Sequence, residues 1–200
     1  TPFARVGIHL VLKYVISNYK KKEVLLTPFT IRDMENMVIS AGGTPKYIDH
    51  RVNSTDLNYE LIENYLKNNH SSVGALVLTH FVVINPEIEK IIQLCRKYKI
   101  FLVQDCAIVF GASFKNIPIY KIGDASVLSF NMFKFVSSIH GGVLITRDKI
   151  LISYIVEIQK NWCAFGAQDL LKYFVKVILF QSITNTYIFN FISFKIIFFA

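Results

Sequence analysis

The sequence predicts an α/β domain, a mostly parallel sheet flanked by helices. Three observations carry this. Helical and strand patterns alternate from the first residues to about residue 104. The strand segments are continuous apolar runs, such as Ala75-Leu76-Val77-Leu78 and Ile100-Phe101-Leu102-Val103, as expected when helices cover both faces of a sheet. Polar residues stand where these runs stop, His80 after one and Asp105 after the other, and such sheets bind ligands outside the carboxyl ends of their strands.

Residues 4 to 18 place Ile8, Val11, Leu12, Val15 and Ile16 at helical spacing. Lys20-Lys21-Lys22 reads as a solvated helix-to-strand turn, and Val24-Leu25-Leu26 as a short buried strand ended by Thr27-Pro28. Met34, Met37, Val38 and Ala41 form one helix face, stopped by Gly42-Gly43. Tyr47-Ile48-Asp49 reads as the next strand, and Tyr59 to Leu66 as a helix opened by Asp56 or Asn58. After the Ala75 to Thr79 strand, Pro86 starts a helix through Tyr98 with Ile88, Ile91, Ile92 and Cys95 inward. Ile100 to Val103 is again a strand, and Ala125 to Phe130 and Gly142 to Thr146 are two more.

Two hundred residues suffice for one domain with a sizeable core. The first residue is Thr1 and the chain stops in an apolar stretch, so a fragment is expected. The net charge is +8, but the lysines are scattered and do not form the clustered basic surface that nucleic-acid binding needs. The three cysteines, Cys95, Cys106 and Cys163, show no CxxC pair and no metal-ligand spacing, which fits a reducing cytosol and no metal. Val177 to Phe194 lacks charge but carries Gln181, Asn185 and Asn190, which favours a buried or membrane-surface helix pair, broken near Thr184 to Thr186, over a membrane span. Leu170, Leu171, Phe174, Val175, Ile178 and Leu179 are too many to hide on one isolated helix. Residues 168 to 199 are therefore expected to pack on a missing domain, a second subunit or a membrane surface.

The chemistry gathers around Lys134. An acid at the end of a buried strand (Asp105), a serine (Ser129) and a lysine five residues later (Lys134) are the layout of a pyridoxal phosphate (PLP) site. The lysine amine can join the cofactor's aldehyde, the serine can bind its phosphate, and the aspartate can hold the pyridinium nitrogen protonated. Phe133, Phe135 and Val136 surround Lys134 with apolar side chains, and a buried lysine without a purpose is costly. Cys106 directly follows Asp105 and is expected to touch the cofactor. Asp124 and His140 read as turn and loop residues, whereas His80 divides evenly between lining the site and supporting the fold.

The chain resembles the DegT/DnrJ/StrS family of PLP-dependent sugar aminotransferases from about residue 3 to 162. The resemblance rests on the order and spacing of Thr27-Pro28-Phe29-Thr30, Ala41-Gly42-Gly43-Thr44-Pro45 leading to Asp49, Asp105-Cys106-Ala107 with Gly111-Ala112, Gly123-Asp124-Ala125, Ser129-Phe130 with Lys134, and Gly141-Gly142-Val143-Leu144-Ile145-Thr146. It implies the large domain of a fold-type-I PLP enzyme over residues 1–162. Residues 163–200 are then an apolar helical segment, with the usual small C-terminal domain absent. It further implies a homodimer transferring an amino group, commonly from glutamate, to a keto group of a nucleotide-linked sugar. Lys134 matches the Schiff-base lysine, Asp105 the pyridinium partner and Ser129 a phosphate ligand. Ala4-Arg5-Val6-Gly7 matches the helix start that holds the phosphate, and helix N-termini attract anions.

Several positions depart from the family pattern. Ile108 stands where a Gln is frequent, Phe110 where a His is, and Ile31 where an aromatic ring stacks on the cofactor. Val6 replaces the phosphate-helix hydroxyl, and His80-Phe81-Val82-Val83 lacks its loop's usual glycine. These motivate one alternative, a degenerate copy that binds no cofactor. A second alternative, a sugar dehydratase of the same family, typically carries His in place of the lysine and is disfavoured by Lys134.

Overall fold

The computed structural model describes residues 1–54, 57–81, 84, 87–131, 134–137, 140–162 and 166–188. They divide into two compact units, Thr1–Gln159 and Lys160–Ala200.

The first unit is built on a six-stranded sheet. Its strands are β1 (Glu23–Leu26), β2 (Thr44–Tyr47), β3 (Val73–Thr79), β4 (Phe101–Asp105), β7 (Ala125–Ser129) and β8 (Gly142–Thr146). A two-stranded hairpin, β5 (Ser113–Phe114) with β6 (Ile117–Pro118), lies between β4 and β7 in sequence. The sheet order is β2-β1-β3-β4-β7-β8, with every pairing parallel except β7 to β8. The order reverses direction at β1, so the carboxyl ends of β1 and β3 flank a topological switch point, where open α/β sheets place ligands.

Strand alternation splits the core in two. On one face Ala75, Val77, Val103, Ala125 and Val127 pack against α1 (Ala4–Tyr19), α2 (Asp33–Ser40) and α5 (Lys149–Lys160). On the other, Leu76, Leu78, Leu102 and Leu128 pack against α3 (Tyr59–Asn69) and α4 (Ile88–Tyr98). Helix α1 buries Ile8, Val11, Leu12, Val15 and Ile16, the positions its spacing marks, and also Leu10 and Tyr14. Each fully buried aliphatic side chain contributes about 1.5–3 kcal/mol, so α1 anchors its face. Lys20 ends this helix in the left-handed region, with its amide bonded to the Ile16 carbonyl.

Strand β2 begins three residues earlier than the apolar pattern places it. Register decides this: β1 pairs Glu23 with Thr44 and Leu26 with Tyr47, and Ile48 then only donates its amide to the Leu26 carbonyl, 3.0 Å. Asn58 caps α3, accepting the Leu61 amide at 3.2 Å, whereas Asp56, the other expected cap, lies outside the described residues. Pro86 lies outside them too, and α4 is described from Ile88.

The second unit contains α6 (Ala167–Thr184) and α7 (Thr186–Ile188), with Asn185 between them, where the sequence places the break. No residue of α6 is buried, and Leu170, Leu171, Phe174 and Leu179 are exposed. No helix among the described residues is long and apolar enough to cross a membrane. Residues 189–199, the end of the expected apolar tail, and Cys163 lie outside the described residues.

Candidate active site

Asp105 is the last residue of β4 and Ser129 the last of β7. The register pairs Asp105 with Thr79 on β3 and with Val127 on β7, and Ser129 lies two residues beyond Val127. Period-two alternation therefore puts Thr79, Asp105 and Ser129 on the α1 face, at the carboxyl edge of the sheet.

The start of α1 is brought to the same edge by β8. Ser129 pairs with Gly142. The Gly142 amide donates to the Thr1 carbonyl at 2.9 Å, and Phe3 bridges Gly141. A side chain at Gly142 would find no space: its Cβ would lie 2.5 Å from the Ala4 nitrogen. This close approach is why glycine stands there, and it sets the first turn of α1 beside Ser129. The Val6 amide already donates to the Phe3 carbonyl at 3.1 Å, so the helix opens with the amides of Ala4 and Arg5, and this turn carries no acidic residue. Val6 turns its side chain onto the core cluster of that face, so what the helix start offers an anion is backbone and Arg5. The Arg5 guanidinium is ion-paired with Asp33 at the start of α2 and sits 5.5 Å from the Phe3 ring.

Asp105 is 5% exposed. Its Oδ1 accepts the Ala107 amide at 3.1 Å. Burial pushes its carboxyl above the usual range, opposed by that amide and by the positive charge of Lys134. Lys134 is half-buried in a turn in which its amide donates to the Asn131 carbonyl at 3.0 Å. The expectation of a lysine enclosed by apolar neighbours does not hold for the described ones. Phe135 is 81% exposed between β7 and β8, outside both strands; Phe133 lies outside the described residues.

Cys106 faces away from this edge. It is fully buried among Leu102, Leu128 and Val109 on the opposite face, one residue out of phase with Asp105, and burial pushes its thiol up to about 12. Contact with a ligand at Asp105 is not what this placement provides. Ile108 is half-buried in the turn after β4, and Ile31 is exposed before α2. Asp124 is structural, accepting the Leu102 amide at 2.7 Å. His140 stacks edge-on against Phe3, with ring centroids 5.0 Å apart.

Two features escape a linear reading. Thr30 and Thr79 share a hydrogen bond of 2.9 Å across the switch point. Phe29, His50 and Phe81 gather beside it, with ring centroids 4.7 Å and 6.2 Å from Phe29. Phe29 and His50 help line a cavity of about 500 Å³ with Asp49, Arg51 and Asn58. A second cavity, about 750 Å³, opens at the amino edge of β4 and β7, far from this chemistry. Its cations include Arg96 and Lys99, at the C-terminal end of α4, where positive charge offsets the helix dipole. Among the described residues no cluster of His, Cys, Asp or Glu could hold a metal ion.

The residues at the carboxyl edge fit PLP. A buried carboxylate suits a cationic ring nitrogen, the charge of a lysine acts on it, and a serine hydroxyl and a helix start, groups that can bind a phosphate, lie at the same edge.

The family model for the DegT/DnrJ/EryC1/StrS aminotransferase family matches residues 4–178. The chain belongs to that family. Among its curated relatives is the UDP-4-amino-4,6-dideoxy-N-acetyl-beta-L-altrosamine transaminase of Campylobacter jejuni, 30% identical over 144 residues, covering 72% of this chain and 38% of the relative. The GDP-perosamine synthase of Escherichia coli O157:H7 is 27% identical over 146 residues, covering 73% and 39%. The chain thus spans about two fifths of the length of these relatives. Among solved structures, Helicobacter pylori PseC, an aminotransferase involved in the biosynthesis of pseudoaminic acid, superposes with TM-score 0.72 at 20% identity, covering 82% of this chain and 44% of PseC. An E. coli GDP-4-keto-6-deoxy-D-mannose-3-dehydratase with bound hydrated PLP gives TM-score 0.69 at 15% identity, covering 78% and 41%. These superpositions show the family fold, an α/β large domain with a mostly parallel sheet.

Proposed function

We propose that this chain is the cofactor-binding domain of a PLP-dependent aminotransferase that moves an amino group, from a donor such as glutamate, to a keto group of a nucleotide-linked sugar. The observation that carries the reading is Asp105, a buried carboxylate at the end of β4 on which the charge of Lys134 acts. Bound PLP would supply an electron sink for the carbon that gives up its proton. Lys134 would hold the cofactor through its Nζ, and once the amino donor displaces it the freed Nζ would move the proton at that carbon. Asp105 keeps the ring nitrogen protonated. Ser129, the Ala4 and Arg5 amides and the Arg5 side chain would hold the phosphate, Arg5 exchanging Asp33 for it. The printed activities of the curated relatives support the substrate class.

A homodimer completes the site in this reading, and the exposed apolar side chains of α6 cover a surface of the remaining protein or of the second subunit. The full-length protein tests it. Incubated with PLP, it develops a visible absorbance band, and borohydride reduction fixes the cofactor's mass on the peptide holding Lys134. Glutamate then converts a nucleotide-linked keto sugar to its amino sugar. No band and no labelled Lys134 peptide would sink the proposal in favour of a degenerate copy.

A further inference from the structure

His80 follows the last residue of β3 and is 1% exposed. It grips the end of β4 twice. Its backbone amide donates to the Asp105 carbonyl at 3.1 Å, and its Nε2 lies 2.7 Å from the Gln104 Oε1. The roles in the second bond are fixed by what Gln104 does elsewhere. The Gln104 Nε2 donates to the carbonyls of Ile119, at 3.3 Å, and Ile122. Its Oε1 is therefore an acceptor, and His80 Nε2 carries the proton. Nδ1 is left as a bare acceptor with no partner among the described residues.

Gln104 has no exposed surface, so its amide must be satisfied inside the protein. His80 and Gln104 occupy the face opposite Asp105, yet they hold the end of β4 at two points, the Gln104 side-chain amide and the Asp105 carbonyl on either side of the Asp105 Cα. The 3₁₀ turn at Ile119–Lys121 is tied to the same amide. We propose that His80 is a positioning residue for Asp105, fixing through Gln104 and the Asp105 carbonyl the place of the carboxylate that would meet the cofactor's ring nitrogen. This rests on the PLP reading above.

The test is a double-mutant cycle on PLP affinity, measured by reconstituting the full-length apoprotein, with circular dichroism and thermal melting reporting the fold. His80→Met keeps the volume and removes the donor, and is expected to weaken PLP binding roughly tenfold, the scale of lost supporting-shell bonds. His80→Gln restores most of the affinity, because its amide can donate to Gln104 Oε1. In an Asp105→Asn background His80→Met has no further effect, since the residue through which it acts is already changed. If His80→Met does not fold, Gln104→Met breaks the same bond from the other partner and enters the same cycle. Unchanged affinity in a folded His80→Met, or fully additive losses with Asp105→Asn, overturns the proposal. Asp105→Asn binding PLP as the wild type does would instead remove the cofactor reading on which it stands.

Discussion

The two faces of the sheet treat their polar residues differently at the same edge. On the α1 face, Asp105 is buried with one backbone amide and the charge of a lysine, and its carboxyl stays above the usual range. On the α4 face, one residue away, Gln104 has its amide bonded on both ends, and Cys106 is a fully buried thiol with its ionisation suppressed. The Asp105 carboxylate is left short of partners, whereas the Gln104 amide is satisfied at both its oxygen and its nitrogen. Burying a charged carboxylate with few partners is costly, so one kept at a strand end is suited to a cationic ligand, whereas the bonded Gln104 amide holds the strand in place.

The largest effect expected on this contrast is at Lys134. Lys134→Ala should lose the visible cofactor band and the borohydride-fixed label completely, with the circular dichroism spectrum unchanged, because Lys134 lies in a loop and supports neither core cluster. A label of wild-type strength on another lysine would move the site to another part of the surface.

Asp105→Asn should separate function from stability. It removes the charge that the cofactor needs, so PLP affinity falls. It also removes a buried carboxylate whose folded value is raised, and such a group costs stability above that value. The apoprotein variant should therefore melt higher than wild type at pH 7. The advantage should shrink as pH falls through the raised value toward about 4, the ordinary range of an unfolded aspartate. A lower melting temperature at neutral pH would show that the carboxylate is well paired in the absence of ligand, erasing the difference between the faces.

Gly142→Ala probes how the helix start reaches the site. The new Cβ would meet the Ala4 backbone at 2.5 Å, so α1 or β8 must shift. Overpacking of this kind costs about 1–3 kcal/mol, read in a chemical denaturation midpoint, and PLP affinity should fall with it because the phosphate loses its cradle. Loss of stability with affinity intact would place the phosphate elsewhere.

The smallest effect is expected at Cys106. Cys106→Ala should cost about 1 kcal/mol of stability, the typical size of a single substitution, and leave PLP affinity unchanged, because the thiol packs on the α4 face. The native thiol should also resist alkylation until the protein unfolds, its ionisation being pushed up to about 12. Weakened PLP binding in this variant would bring Cys106 to the ligand after all.

The sequence alone determined the alternation of strands and helices, the polar strand ends and the order of Asp105, Ser129 and Lys134, because each rests on local periodicity or on neighbours a few residues apart. Gln104 was visible as a polar residue closing an apolar run, but its partners lie 24 residues back at His80 and 15 and 18 residues ahead at Ile119 and Ile122. The tertiary structure alone decided which face each strand-end residue occupies, since a one-residue step in a strand reverses the side chain and register across neighbouring strands fixes the phase. That is why Cys106, adjacent to Asp105, is turned from the site, while Thr79, 26 residues away, pairs with it. It also decided the role of Gly142: a repeated glycine suggests backbone freedom, but the reason for this one is the backbone of Ala4 arriving from 138 residues away, a contact that only the packing of α1 beside β8 creates.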